Sequence, residues 1–73
     1  MKYESILIDI TVNNEHYSID AGTTVANLVE QYARTARGIA VAIDGTIVPK
    51  STWTDTVLRE GCRVEIITAV AGG

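Results

Sequence analysis

The sequence predicts an α+β fold in which one main helix packs on a four-stranded mixed sheet. The prediction depends on a strand-like alternation near the N-terminus, one amphipathic helical stretch after it, and two later apolar segments. At 73 residues, the chain is long enough for one small domain, 1–73. Its apolar content of 47% and charged content of 21% are typical of a globular protein and not of a disordered one.

The first two strands are predicted to form a hairpin. Between Ile6 and Val12 apolar side chains occupy every second position, which is the period of a half-buried strand. Asn13 and Asn14 follow, and asparagine tolerates the left-handed conformation that a tight turn needs. The return strand "EHYSID" is predicted to direct Tyr17 and Ile19 into the core.

The main helix is predicted within "AGTTVANLVEQYAR". Its apolar residues recur with helical spacing, so they define one buried stripe. Thr23 or Thr24 is suited to cap the N-terminus, and Gly38 is placed where a glycine often ends a helix, although 34–38 can be partly loop. The stripe consists of Val25, Leu28, Val29 and Tyr32.

The remaining elements follow the helix. The run from Ile39 to Ile43 is continuously apolar and predicts a strand buried on both faces. An Asp-Gly pair then turns the chain, and Pro49 ends any pairing because proline has no N–H to donate. Residues 50–61 are predicted to form loop and a short helical turn, held by Trp53 and Leu58. The last strand, in "CRVEIITAV", directs Val64 and Ile66 inward.

The sequence ends on "AVAGG", directly after the last predicted strand. A frayed terminus is the ordinary explanation. The alternative is a flexible arm, residues 70–73, that enters a narrow site of a partner and presents the Gly73 carboxylate. Glycine suits such an arm because it adopts whatever backbone angles a deep pocket imposes, and correct placement there contributes much of a reaction rate.

Charge and composition argue against several other classes of protein. The formal charge of −3, with no cluster of basic residues, disfavours a nucleic-acid partner. No apolar run is long enough to span a bilayer, and the acidic, alternating N-terminus does not resemble a signal peptide. These features predict a cytoplasmic protein with no membrane or nucleic-acid partner. One Cys and one His provide no zinc-ligand spacing.

Individual side chains offer little support for catalysis. Cys62 can be a sulfur-handling thiol or a small residue at the start of a strand. His16 can be an acid or base, but its predicted place opposite Tyr17 exposes it to solvent. Asp44 and Asp55 flank turns, where aspartate makes local hydrogen bonds. The chain therefore lacks the parts of a stand-alone enzyme and is predicted to be a carrier or binding module.

The large aromatic residues of the helix and the second half have two explanations. Trp53 and Tyr32 can belong to the core, or they can form a partly exposed apolar patch near the tail that docks an enzyme.

Three stretches carry a family resemblance: "TVNNEHYSIDAGTTVANLVEQ", "VAIDGTIVPKSTW" and "TVLREGCRVEIITAVAGG". Together they resemble the ThiS family of sulfur carriers over nearly the whole chain from Ile8 onward. The combination of Pro49, Trp53 and the terminal "AVAGG" is specific. Residues 1–7 look like an N-terminal extension.

The resemblance implies a ubiquitin-like β-grasp fold and a carrier that is not itself an enzyme. It implies that an adenylating enzyme of the ubiquitin-activating type uses ATP to adenylate Gly73. Sulfur from a persulfide donor such as a cysteine desulfurase then replaces AMP, and the resulting thiocarboxylate delivers sulfur to thiazole synthase for thiamine biosynthesis. Gly72 gives access, and Ala71 and Val70 line the threading arm. No cofactor is bound.

Two departures from the family pattern stand out. Members usually have Gly-Asp where this chain has Gly61-Cys62, and commonly Asn in place of Asp44. Neither departure affects the chemistry of the tail.

Other assignments remain open from the sequence alone. The small subunit of molybdopterin synthase shares the fold and the Gly-Gly end, although that family typically has prolines before it and this chain has none there. A protein modifier conjugated to lysines needs the same activation. A plain interaction module with an incidental tail needs no such activation.

Overall fold

A computed structural model describes residues 6–33 and 37–68 of the chain. Within these residues a single α-helix accompanies five strands and a short 3-10 helix. In chain order they are β1 (Leu7–Val12), β2 (Glu15–Asp20), α1 (Val25–Tyr32), β3 (Ile39–Ile43), β4 (Thr46–Val48), the 3-10 helix (Lys50–Asp55) and β5 (Arg63–Thr68).

The strands form one mixed sheet in the order β2-β1-β5-β3-β4. Only the central pair, β1 and β5, is parallel, and the other neighbouring pairs of the described sheet are antiparallel. This is the β-grasp arrangement that the family resemblance implies. The prediction of four strands is wrong by one, because the Asp44-Gly45 turn returns the chain and lets Thr46–Val48 pair with β3. Pairing stops before Pro49, as predicted.

Both hairpin turns have the backbone that their residues favour. Asn13 and Asn14 have φ of 51° and 71°, and Asp44 and Gly45 have φ of 51° and 87°. Positive φ at both central residues is the geometry of the turn that matches the twist of two-residue hairpins. The predicted turns at these positions are therefore confirmed.

The helix begins where the sequence predicts and ends earlier. Thr24 caps it: the Thr24 side chain accepts from the Asn27 N–H, and the Asn27 side chain accepts from the Thr24 N–H. Such a reciprocal box satisfies two N–H groups that the helix leaves unpaired. Gly38 does not end the helix, because α1 stops at Tyr32 and Gly38 lies in the turn before β3.

The core lies between α1 and one face of the sheet, and the connection after β4 closes its side. Three of the four residues of the predicted helical stripe are buried there, but Tyr32 remains 45% exposed. Trp53 and Leu58 are both buried, which confirms that they hold the segment 50–61 against the core. β3 is buried at Val41 and Ala42 and half-buried elsewhere, so the prediction of burial along both faces holds only at its centre.

The ends of the chain lie largely outside the described residues. β1 already includes Leu7, the last residue of the predicted extension 1–7. Residues 1–5 of that extension and the predicted flexible arm 70–73 lie outside the described residues, so these two assignments stay predictions. No helix in the described part of the chain has the length and apolarity needed to cross a membrane.

Candidate functional site

The predicted reactive residues are Gly73, Gly72, Ala71 and Val70, and all of them lie outside the described residues. The described structure ends at Thr68, the last residue of β5. The candidate site is therefore described through the strand that leads into the tail and through the surfaces beside it. The fold places this strand at the centre of the sheet, between β1 and β3.

The first half of β5 is held on both sides by backbone pairing. Val64 lies opposite Val12 of β1 and opposite Ile43 of β3. Its side chain is fully buried, with 0% exposure. The side chain of Asp44 strengthens the strand's beginning by accepting the Arg63 N–H at 2.9 Å. The tail thus follows the central strand of the sheet.

The second half of β5 is held differently on its β1 side. β1 ends at Val12, and the side chain of Asn13 takes its place. Asn13 Oδ1 accepts the Ile66 N–H at 2.8 Å, and Nδ2 donates to the Ile66 carbonyl at 3.2 Å and to the Tyr32 hydroxyl at 3.0 Å. The Asn13 N–H also donates to the Val64 carbonyl at 2.9 Å. One turn residue therefore joins the first hairpin, the end of α1 and β5.

The sequence did not reveal this role of Asn13. Two asparagines fill the turn, and either satisfies its backbone requirement. The partner lies 53 residues away along the chain. The one available signal is the amide group itself, because an amide can donate and accept at once, as a peptide group does.

The face of the sheet opposite α1 carries exposed apolar side chains, one of them near the end of β5. Ile67 of β5 is 52% exposed and lies opposite Ala40, and Ile47 of β4 is 60% exposed and lies opposite Ala42. We call these four residues the open-face patch. The small alanines between the two isoleucines leave them accessible, and such exposed apolar groups are typical of contact sites.

A surface groove lies on the other side, between β2 and α1. Tyr17, Leu28 and Tyr32 line it. Partial desolvation, together with a hydrogen bond donated to Glu15, raises the pKa of Tyr17 above its ordinary value. Tyr17 was predicted to face the core, but it lies on the strand at the edge of the sheet and is partly exposed.

The other candidate side chains are buried in the core, hold the start of a strand or face solvent. Cys62 is buried in the core cluster as a free thiol. His16 is exposed, as predicted, and its Nε2 lies 3.3 Å from Asp9 Oδ1. Asp44 holds the start of β5, and Asp55 is an exposed residue at the end of the 3-10 helix. Within the described ranges no group of His, Cys, Asp and Glu side chains is arranged to hold a metal ion.

The two aromatic candidates lie in different environments. Trp53 is only 5% exposed, and its indole N–H donates to the Val48 carbonyl at 3.0 Å, so it belongs to the core. Tyr32 is the partly exposed one, and its hydroxyl contacts Asn13. Ile67, which is exposed near the end of β5, was not among the residues predicted to dock a partner.

Comparison with known proteins agrees with this architecture. The chain is 32% identical over 66 residues to the sulfur carrier protein ThiS of Escherichia coli K12, a match that covers 90% of this chain and 100% of that protein. It is 30% identical over 64 residues to a thiazole synthase of Paramagnetospirillum magneticum, covering 88% of this chain and 20% of that protein.

A solved structure supports the fold. The crystal structure of the thiamine biosynthesis protein ThiS from Geobacter metallireducens superposes with a TM-score of 0.77 at 22% identity, covering 90% of this chain and 100% of that chain. The family model for the ThiS family matches residues 5–73. On the strength of that match and of the Escherichia coli relative, the chain belongs to the ThiS family.

Proposed function

We propose that the chain is a sulfur carrier for the thiazole half of thiamine, and that enzymes act on it as a co-substrate. The observation that carries the proposal is the match to a sulfur carrier protein over that protein's whole length. The family match also extends through residue 73, so it includes the Gly-Gly end on which the chemistry depends.

The proposed chemistry has three steps. The Gly73 carboxylate attacks ATP and releases pyrophosphate, which gives an acyl-adenylate. The terminal sulfur of a persulfide attacks the acyl carbon and displaces AMP, which gives an acyl disulfide. A second thiol then reduces this disulfide and frees the Gly73 thiocarboxylate. The adenylate is needed because a carboxylate is a poor electrophile, and the thiocarboxylate is a far better nucleophile than a carboxylate.

The tail residues have distinct proposed roles in this scheme. Gly73 carries the sulfur, and Gly72 lets a deep pocket close around it without a side chain in the way. Val70 and Ala71 line the arm that threads into each partner. Partners grip such arms through backbone groups, by strand addition or by capture of the terminal carboxylate.

Three partners follow from this chemistry. An adenylating enzyme of the ubiquitin-activating type uses the ATP, so the carrier itself binds no cofactor. A cysteine desulfurase or another persulfide donor supplies the sulfur. Thiazole synthase receives it, and support comes from the relative that bears that name and matches this chain over one-fifth of its own length. The proposal places these steps in the cytoplasm.

We further propose that the adenylating enzyme docks on the open-face patch. Ile67 directly precedes the described end of β5, so a partner that takes the tail passes close to it. Ile47 extends the apolar surface across β3. Burying such side chains supplies binding energy that the tail alone, with its small residues, does not.

Intact mass tests the chemistry. The chain is incubated with ATP, its adenylating enzyme, a persulfide donor and a thiol, and the expected mass gain equals the exchange of one oxygen for one sulfur. A chain that lacks Gly73 is the control and gains nothing. An unchanged mass, with an enzyme that activates an authentic ThiS protein in parallel, overturns the proposal.

The protein that consumes the thiocarboxylate distinguishes the candidate functions. Thiazole synthase with its substrates is expected to consume the thiocarboxylate and regenerate the original mass. Consumption by the large subunit of molybdopterin synthase instead assigns the chain to that pathway. Stable isopeptide conjugates in cells assign it to the protein modifiers, and an undiminished role after deletion of Gly72 and Gly73 assigns it to the interaction modules.

A further inference from the structure

The amide of Asn13 acts as an extra link of the parallel β1–β5 ladder. Its Oδ1 and Nδ2 pair with the N–H and the carbonyl of Ile66, at 2.8 and 3.2 Å. In the register of the ladder, these are the contacts that the Asn13 carbonyl and the N–H two residues further on would make if β1 continued. It does not continue, because φ is positive at Asn13 and Asn14 and the chain reverses there. The side chain thus replaces the backbone where the backbone turns away.

Among the described residues, this contact is the last one on its edge of β5. Backbone groups alternate between the two edges of a strand, so after Ile66 the next residue whose N–H and carbonyl face the β1 side is Thr68. Within residues 6–33 and 37–68, no hydrogen bond from the β1 side reaches Thr68. On the opposite edge, β3 pairs with β5 as far as Thr68. Beyond Asn13, therefore, the strand is held from one side.

Tyr32 holds the amide in place. Its hydroxyl accepts from Asn13 Nδ2 at 3.0 Å, and Tyr32 is the last residue of α1. The Ile66 N–H can only donate and the Ile66 carbonyl can only accept, so these two groups determine which way the amide faces. The Tyr32 hydroxyl adds a third contact that restrains the amide. The direction of β5 at Ile66 is thereby set against both the hairpin and the helix.

We propose that Asn13 is a positioning residue for the sulfur-carrier reaction: it sets the direction in which the C-terminal arm leaves the sheet, so that a docked carrier presents Gly73 to the adenylating enzyme. The proposal rests on the proposed function. Seven residues follow Ile66, so the end of β5 is the base from which the arm reaches a partner's site. Misplacement of a reacting group by about 1 Å costs up to about a hundredfold in rate, so a base that is not held lowers the fraction of docked carriers that present Gly73 correctly.

The turn provides a matched pair of variants. Asn13→Gly removes the amide and keeps a residue that accepts positive φ. Asn14→Gly makes the same change at the next position of the same turn, where the side chain makes no hydrogen bond to the described residues. Tyr32→Phe removes only the hydroxyl that accepts from Asn13 Nδ2.

The test measures AMP-forming activation with the carrier as the varied substrate. A variant that is merely less stable has a smaller folded fraction, which raises the apparent KM and leaves kcat unchanged. Loss of positioning leaves docking intact and lowers kcat. We expect Asn13→Gly to lower kcat about tenfold with little change in KM, Tyr32→Phe to lower it less, and Asn14→Gly to match the unaltered chain.

Amide hydrogen exchange separates the structural step from the proposed function. Asn13→Gly is expected to speed exchange of the Ile66 N–H and to leave that of Ile67, which faces β3, unchanged. An unchanged kcat, or a raised KM with an unchanged kcat, overturns the proposal. If the enzyme fails to activate the unaltered chain, the proposed function is overturned together with the role of Asn13 in it. The exchange rates still decide whether Asn13 orders β5.

Discussion

The two ends of β5 are held by different means. At its beginning, Val64 is paired through the backbone with β1 and with β3, and its side chain is fully buried. At its end, Ile66 is opposite β3 on one edge, and a single side chain, that of Asn13, occupies the other. The strand therefore changes along its length from a central strand to one secured by an amide.

The difference shows how the fold anchors a strand and still presents its end. Backbone pairing does not depend on side-chain identity, so the beginning of β5 depends mainly on packing volume. The end depends on one amide, so the identity of a turn residue controls it. The packing of the body and the direction of the strand's end therefore depend on different residues.

The largest expected effect is at the packed end. Val64→Ala should lower the free energy of unfolding by about 2 kcal/mol, because it leaves a cavity at a fully buried position. That is a large share of the roughly 4–11 kcal/mol expected for a domain of this size. Urea denaturation measures the loss. Glu65→Ala, at the exposed neighbour, is the control and should change little; equal losses in both would contradict the contrast.

The next effect is at the amide-held end. Asn13→Gly should lower the free energy of unfolding by about 1.5 kcal/mol, because it removes the side chain's hydrogen bonds to Ile66 and Tyr32. The same urea experiment measures it. Asn14→Gly should differ from the original chain by less than about 0.5 kcal/mol. A loss at Asn14 as large as that at Asn13 would show that the turn backbone, and not the amide, matters.

A third effect separates the two ends of the open face of the sheet. Ile67→Ser should raise the KM of the carrier for the adenylating enzyme about fivefold, which corresponds to about 1 kcal/mol of lost apolar contact. Unfolding should change little because Ile67 is half exposed. Leu7→Ser is the matched control, since Leu7 is exposed on β1 at the other end of the sheet. If both variants raise KM alike, the docking site is not beside the tail.

The smallest effect concerns the Tyr32 hydroxyl that contacts the Asn13 amide. Tyr32→Phe should reduce the protection of the Ile66 amide against hydrogen exchange about twofold, which corresponds to about 0.5 kcal/mol, because the Tyr32 hydroxyl contacts the amide at a partly exposed site. Tyr17→Phe, which removes a hydroxyl bound to Glu15, should leave Ile66 unchanged. Unchanged protection in the Tyr32 variant would mean that the Asn13 amide holds Ile66 without the contact to Tyr32.

Local pattern was sufficient for most of the fold. Alternation located β1 and β5, the helical spacing located α1, and both turns lie at residues that favour positive φ. Local pattern failed at β4, because three residues form a strand only when a neighbouring strand offers a ladder. It also failed at Tyr32, which continues the apolar stripe but lies past the part of the helix that the sheet covers.

The candidate site likewise has one part that the sequence predicts and another that only the fold creates. The Gly-Gly end and its proposed chemistry come from the sequence, because they depend on residue type and on order along the chain. The open-face patch depends on which strands become neighbours: Ile47 and Ile67 lie on one surface only because β4 and β5 both pair with β3.

By itself the sequence determined the fold class, the positions of the turns and the chemical character of the tail, since each follows from short-range preferences of the backbone and from side-chain chemistry. Tertiary structure alone decided that Trp53 is a core residue and that Asn13, chosen for a turn, also secures the end of β5. The physical reason is distance along the chain. A hydrogen bond across 53 residues forms only after the sheet has brought its two partners together, and no local preference encodes it.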